Sequence, residues 1–321
     1  MKGTAKRGPE RGNGPNLSVE LGSLKLKNPV IAASGTFGYG EEYAGLIPLR
    51  SLGAFITKGL SLEPCKGNPP PRVAETPSGM LNSIGLENVG LENFLRAKVP
   101  FLRKAPCPVI VNIFGSTAEE YAEIARRVSK VEGIAGLEIN VSCPNLKAGG
   151  LIFASEAKSV QQVVSKVRQA TSSFVMVKLS PNVGDIVKIA LAAQEAGADA
   201  LSLINSLTGM AIDVKTRTPI LGNIFGQLSG PAIKPIGIHL VWRVAQFVKI
   251  PIVGVGGILN AEDALEYIVA GATAIQVGSA HFIDPWASVK VIEGIRSYMR
   301  LNNINGLAAL TASLKILPRA L

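Results

Sequence analysis

The sequence predicts an α/β protein folded as a (β/α)8 TIM barrel. Three observations carry that expectation. From Asn28 onward, short apolar β-branched runs alternate with stretches of helical period, the pattern of parallel strands joined by helical crossovers. The runs number eight, where a doubly wound open sheet has fewer units and a glycine-rich phosphate turn after its first strand. Several runs also end in polar residues, and barrels carry their chemistry at the carboxyl ends of their strands.

Taken in order, residues 1–16 are Gly, Pro, Lys and Arg with almost nothing apolar, and read as a disordered basic leader lacking the apolar core of a secretory signal. Leu17 to Lys27 alternates around Gly22 and reads as a small hairpin at the bottom of the barrel. Strands are expected near Val30 to Ala33, Ala54 to Lys58, Val109 to Ile113, Gly136 to Val141, Phe174 to Leu179, Ala200 to Asn205, Pro251 to Val255 and Ala274 to Val277. The helices between them fall at Leu91 to Leu102, Thr117 to Val131, Glu156 to Thr171, Val183 to Ala196, Ala232 to Phe247, Ala261 to Ala270 and Pro285 to Arg300, with a short one near Glu41 to Ile47. Gly59 to Val89 is the longest interruption. Residues 17–321 are read as one barrel domain.

Composition agrees with this reading. With 47% hydrophobic and 17% charged residues among 321, the chain can bury a large core. Its apolar runs are broken by Gly and Pro well short of the roughly 20 residues of a membrane span. The formal charge of +10 does not point to nucleic acid. Lys2, Lys6, Arg7 and Arg11 against Glu10 supply part of it, and the remaining basic residues are scattered without interleaved aromatics. Cys65, Cys107 and Cys143 are odd in number and widely spaced, which suits neither a disulfide framework nor a metal site and fits a reducing cytoplasm.

Side-chain alternation places Lys58 above Ile56, Asn112 above Ile110, Asn140 above Glu138 and Lys178 above Met176, so each polar residue can point inward at the top of its strand. Buried amines and amides cost several kcal/mol unless paired, which argues for a polar, partly anionic ligand; the alternative is a network of core groups that satisfies itself. Glycines after strands 7 and 8, in VGVGGI at 253–258 and IQVGSA at 275–280, let backbone amides approach an anion, and Gly230 with Pro231 opens a helix on the same side. Tight turns without a ligand are the plainer explanation of the same glycines. Cys143, in NVSCPN, follows strand 4 at the active rim beside Asn140. A lone cysteine is often inert, and position alone raises this one. His239 and His281 read as structural.

GTFGYGEEY at 35–43, ITKG at 56–59, GNPPPRVAETPSGMLNSIGLENVG at 67–90, NVSCPN at 140–145, VKLSPN at 177–182 and INS at 204–206, with the two glycine turns, together resemble dihydroorotate dehydrogenase over nearly everything after the leader. The chain looks most like the class 1, type B catalytic subunit, because cysteine stands where class 2 enzymes have serine, and sixteen polar residues cannot supply the membrane-associating extension of class 2. Ser83 departs from the alanine that type B relatives often carry. The resemblance implies an FMN whose phosphate sits on Gly256, Gly257, Gly278 and Ser279 with Gly230 nearby, and whose ring is lined by Ser34, Lys58, Gly59, Asn112, Asn140, Lys178 and Ile204. Dihydroorotate would be held by Lys58, by Asn82, Ser83, Ile84, Gly85 and Leu86, and by Asn140, Asn205 and Ser206. Cys143 would be the base.

Oxidation of dihydroorotate to orotate, a step of pyrimidine biosynthesis, removes a proton from C5 and a hydride from C6, so a base and the flavin must face opposite sides of the ring. A free thiol titrates near about pH 8.5, and a neighbouring lysine favours the thiolate. The chain has neither a second nucleotide motif nor clustered cysteines for an iron–sulfur centre. The resemblance therefore implies a homodimer of this chain with partner subunits bearing FAD and a [2Fe-2S] cluster, passing electrons to NAD. Three other readings remain open: the flavin domain of a dihydropyrimidine dehydrogenase, a flavin-free Schiff-base aldolase or isomerase using Lys58 or Lys178, and a non-catalytic phosphate-binding module.

Overall fold

The computed structural model describes residues 14–142, 144–145, 151–152 and 156–316. Eight parallel strands close into a barrel in chain order: β1 (Val30–Ala32), β2 (Ala54–Ile56), β3 (Val109–Ile113), β4 (Ile134–Asn140), β5 (Phe174–Lys178), β6 (Ala200–Leu203), β7 (Ile252–Val255) and β8 (Ala274–Val277). Closure is made by β8 on β1, with Ile275 opposite Val30, Gln276 opposite Ile31 and Val277 opposite Ala32. The strands are buried on both faces because helices cover the outside. Their Val and Ile side chains suit that two-sided burial better than an alternating pattern would. The eight strands expected from the sequence are those observed.

The outer helices start and stop where local chemistry requires. The helix Ala118–Val128 begins at Thr117, whose side chain accepts the Glu120 N–H, and it turns Tyr121, Ile124, Ala125 and Val128 inward. Asp185 caps Ile186–Glu195 through the Val187 N–H. Asn260 and Asp263 form a reciprocal capping box at the head of Ala261–Ala270, which ends at Gly271 with φ 129°. The hairpin Val19–Leu21 and Leu24–Leu26 turns on Gly22 (φ 56°) and packs beside Asp199, just before β6, at the amino-terminal end of the barrel. The expected leader lies outside the described residues up to position 13. Asn16 already belongs to the fold, its N–H donating to Asn305 O at 2.8 Å.

Two expectations need correction and one element was missed. The short helix near Glu41 to Ile47 is instead a single 3₁₀ turn, Glu41–Tyr43, with a second, Leu49–Ser51, beyond the expected range, because Gly45 and Pro48 interrupt any longer run. The helix expected over Leu91 to Leu102 contains a π turn, Phe94–Lys98, just before Pro100, which cannot donate to the helical ladder. The excursions after β2 and β6 were not read as structured. They pair into a four-stranded antiparallel sheet in the order Leu207–Gly209, Gly226–Ser229, Gly79–Asn82 and Val73–Thr76, which stands over the carboxyl end of the barrel.

His281, in the short helix Ala280–Ile283, is a core residue, packed on the rings of Phe37 and Tyr43 at centroid separations of 5.1 and 5.6 Å. Its Nε2 meets Ser288 Oγ at 2.8 Å. Burial pushes its pKa from 6.5 down to about 4, so the fold favours the neutral ring. Its contribution to stability is complete above about pH 6.5 and is lost as the pH falls from there towards 4. Urea unfolding across that window should therefore give a stability slope that flattens in His281→Asn. Equal slopes in the two proteins would contradict this assignment.

Candidate active site

One cavity of about 580 Å³ opens at the carboxyl end of the barrel beneath the antiparallel sheet. Its volume is that of a pocket for a sizeable organic ligand. Every described residue that the sequence singled out for a site lines it. From the strand ends come Ser34, Lys58, Gly59, Asn112, Asn140, Lys178 and Ile204. The glycine side is formed by Gly230, Gly256, Gly257, Gly278 and Ser279. The remaining wall is Asn82, Ser83, Ile84, Gly85 and Leu86 from one excursion and Asn205 and Ser206 beyond β6. Cys143 lies outside the described residues; the chain before it is described through Ser142, which lines the cavity.

The polar rim carries two lysines, Lys58 and Lys178. Lys178 is only 6% exposed, and its Nζ donates to Ser34 Oγ at 3.3 Å. Among the described residues, neither Lys178 nor the half-buried Lys58 has a carboxylate within ion-pair distance. A desolvated ammonium without a counter-charge demands a ligand acceptor or anion. Around it stand carboxamides in fixed settings. Asn140 Oδ1 accepts from Ser142 N at 3.1 Å and from Asn205 Nδ2 at 3.3 Å, and Asn205 Nδ2 also donates to Ser142 Oγ at 3.0 Å. Asn82 Nδ2 donates to Gln227 O at 3.1 Å, which ties the rim to the overlying sheet.

The wall from Asn82 to Leu86 is held on several sides. Asn68 Nδ2 donates to Ser83 Oγ at 2.8 Å, the Cys65 thiol donates to Gly85 O at 3.3 Å, and Asn88 Nδ2 donates to Leu86 O at 3.0 Å. Arg72 pairs with Glu87 and donates to Asn68 O. Gly85 turns with φ 73° and has no room for a side chain, because a Cβ would stand 2.4 Å from Asn68 N. After β7, Gly256 and Gly257 adopt φ 127° and 69°, and the Tyr267 hydroxyl donates to Gly256 O at 2.8 Å. The buried phenol thus fixes the first peptide of that turn from behind.

Sequence reasoning passed over several cavity residues. Ser142, Ser180 and Asn182 lie inside motifs that were recognised, but were given no role; Asn182 bridges Ser206 O (3.0 Å) and Thr208 N (3.0 Å). Gln227 and Thr208 belong to the unread sheet, whose only local signal is the alternation in GMLN and GQLS flanked by Gly and Pro. Beneath the cavity, Glu138, Ser202 and Gln276 are polar and fully buried inside the barrel. No group of three or more His, Cys, Asp or Glu among the described residues is arranged to hold a metal. No described helix is long and apolar enough to cross a membrane.

Comparison with known proteins accords with this geometry. Residues 16–299 match the family described as Dihydroorotate dehydrogenase. Three similar relatives each carry the name Dihydroorotate dehydrogenase B (NAD(+)), catalytic subunit. The protein of Geobacter metallireducens is 56% identical over 302 residues, covering 94% of this chain and 99% of the relative. That of Geotalea uraniireducens is 55% identical over 300 residues, covering 94% and 98%. That of Geobacter sulfurreducens is 54% identical over 302 residues, covering 94% and 99%. The chain therefore belongs to the dihydroorotate dehydrogenase family of oxidoreductases.

Proposed function

We propose that this chain oxidises dihydroorotate to orotate with FMN, as the catalytic subunit of an NAD-linked enzyme of pyrimidine biosynthesis. The observation that carries the reading is the presence around one cavity of two lysines, Lys58 and Lys178, that have no carboxylate within ion-pair distance among the described residues, together with the carboxamides of Asn82, Asn112, Asn140 and Asn205. Carboxamides present a donor and an acceptor together, as the edges of a pyrimidinedione require, and the ammoniums suit a carboxylate and an electron-rich ring.

The residues present fit FMN. Side-chain-free backbone at Gly256 and Gly257, at positive φ, borders the cavity, and Lys178, with no carboxylate within ion-pair distance among the described residues, lines it as well. In this reading Gly230, Gly256, Gly257, Gly278 and Ser279 hold the phosphate, while Ser34, Lys58, Gly59, Asn112, Asn140, Lys178 and Ile204 line the ring. When bound, FMN supplies the acceptor for the C6 hydride. Lys178 favours negative charge on the ring edge beside it. Lys58 holds the substrate carboxylate, and the 82–86 wall with Asn140, Asn205 and Ser206 orients the substrate ring. We assign the removal of the C5 proton to the thiolate of Cys143, the next residue in the sequence after Ser142. Residues 17–321 act as one FMN-binding barrel, and the unpaired thiols of Cys65 and Cys107 suit the reducing cytoplasm.

Electrons leave through a partner. The names of the relatives specify a catalytic subunit and NAD, and we assign FAD and a [2Fe-2S] cluster to a second subunit bound around a homodimer of this chain. Lys58, with no carboxylate partner among the described residues, favours dihydroorotate over an uncharged dihydropyrimidine, which has no carboxylate to meet it.

The purified protein should be yellow, and adding dihydroorotate without oxygen should bleach the flavin band, while dihydrothymine should leave it unchanged. A colourless protein trapped by borohydride with a carbonyl substrate, or bleaching by dihydrothymine alone, would overturn the assignment. Cys143→Ala should retain flavin and lose about 10²- to 10⁴-fold in the rate of bleaching; full activity in this variant would remove Cys143 from the mechanism. Lys178→Ala should weaken both flavin retention and turnover, measured by the FMN content of the purified protein and by steady-state rates. Unchanged FMN content would separate Lys178 from the cofactor.

A further inference from the structure

Glu138 sits one inward step below Asn140 on β4, fully buried and outside the cavity lining. It joins four strands through side chains. Its Oε2 accepts from Asn112 Nδ2 on β3 at 2.6 Å, and its Oε1 accepts from Ser202 Oγ on β6 and from Gln276 Nε2 on β8, each at 2.8 Å. Among the described residues no cation lies within ion-pair distance of it. A carboxylate buried on hydrogen bonds alone is a costly group for a barrel interior, where apolar side chains would pack without penalty. No step of the proposed reaction uses it.

Its consequence is the orientation of Asn112. A carboxamide has a donor end and an acceptor end, and a carboxylate oxygen accepts. Facing Glu138, Asn112 must therefore turn its NH₂ downward and sideways, where it reaches Glu138 Oε2 and, at 3.4 Å, Ser34 Oγ. Asn112 Oδ1 is left on the side of Gly59, a cavity residue, close enough that a Cβ on that glycine would stand 3.0 Å from it. Ser34 Oγ also accepts from Lys178 Nζ, so its own hydrogen is free to point into the cavity. The chain Glu138, Asn112, Ser34, Lys178 thereby presents one acceptor followed by two donors.

We propose that Glu138 is a positioning residue that fixes the Asn112 carboxamide with its oxygen towards the cavity, so that the site selects an N–H followed by two acceptors, as the imide edge of the FMN ring presents. This rests on the reading of the cavity as a flavin site. Glu138→Gln puts an amide against donors on one side or the other: either Asn112 flips and offers its NH₂ to the ligand, or the Ser202 and Gln276 side is disrupted. Asn112→Asp alone sets two carboxylates together. The two substitutions combined restore a complementary pair, with the amide donor now on the β4 side and an acceptor again facing the cavity.

The experiment measures FMN dissociation constants on apoproteins and melting temperatures for the parent, each single variant and the double variant. Glu138→Gln should bind FMN about tenfold or more weakly, Asn112→Asp more weakly still, and the double variant should recover to within about threefold of the parent. FMN methylated at the imide nitrogen should bind the unmodified protein about tenfold or more weakly than FMN, an arm that needs no variant to fold. A Glu138→Gln protein that melts lower yet binds FMN as tightly as the parent would make Glu138 merely structural and overturn the proposal. So would a double variant no better than the singles, or undiminished binding of the methylated flavin. A parent protein that binds no FMN at all would instead overturn the flavin reading itself.

Discussion

Closure of the sheet on itself is the constraint from which the site follows. Because β8 pairs in parallel with β1, every strand runs the same way and every carboxyl end arrives at one rim. A side-chain period of two then brings Lys58, Asn112, Asn140 and Lys178, which are far apart in the chain, to one level above an apolar interior. In an open sheet the same residues would lie along a line. The barrel turns them into a ring, and a ring encloses a volume from which water can be displaced.

The electrostatic balance across that ring is uneven. Above, Lys58 and Lys178 have no carboxylate within ion-pair distance among the described residues, and the other charged pair of the lining, Arg72 and Glu87, is satisfied within itself. Below, Glu138 receives only neutral donors from Asn112, Ser202 and Gln276. Positive and negative charge are thus kept apart by one layer of amides instead of being cancelled in an ion pair. Charge held in this way stays available to a ligand, at a cost in desolvation that a purely structural core would avoid.

The two excursions complete the cavity from above. Gly79–Asn82 and Gly226–Ser229 pair across 145 residues of chain, and the backbone of Gln227 receives the Asn82 side chain. The sheet gives the 82–86 wall a rigid backing, while Asn68, Asn88 and the Cys65 thiol pin it from below. Neither excursion has a sustained apolar pattern, since one face of each short strand is exposed or half-exposed. Their pairing depends on long-range partners that local periodicity does not reveal. For the same reason Gln227, Thr208 and Asn182 escaped the sequence reading although they border the cavity.

Local chemistry written in the chain was sufficient for the eight strands, for nearly all of the helices between them and for bringing Lys58, Asn112, Asn140 and Lys178 to the cavity rim, because burial on two faces leaves continuous β-branched runs and because polar residues at the ends of such runs are conspicuous. The short helix expected near Glu41 and the uninterrupted helix through Pro100 failed where single Gly and Pro residues outweighed the pattern. Only the tertiary structure decided which polar groups remain unpaired and which are consumed. Sequence places Glu138 and Asn140 at equivalent parity, yet their hydrogen bonds differ wholly, since donors from β3, β6 and β8 converge on Glu138. Convergence of that kind depends on strand stagger and barrel curvature, which arise from the closed sheet as a whole and from no single segment of it.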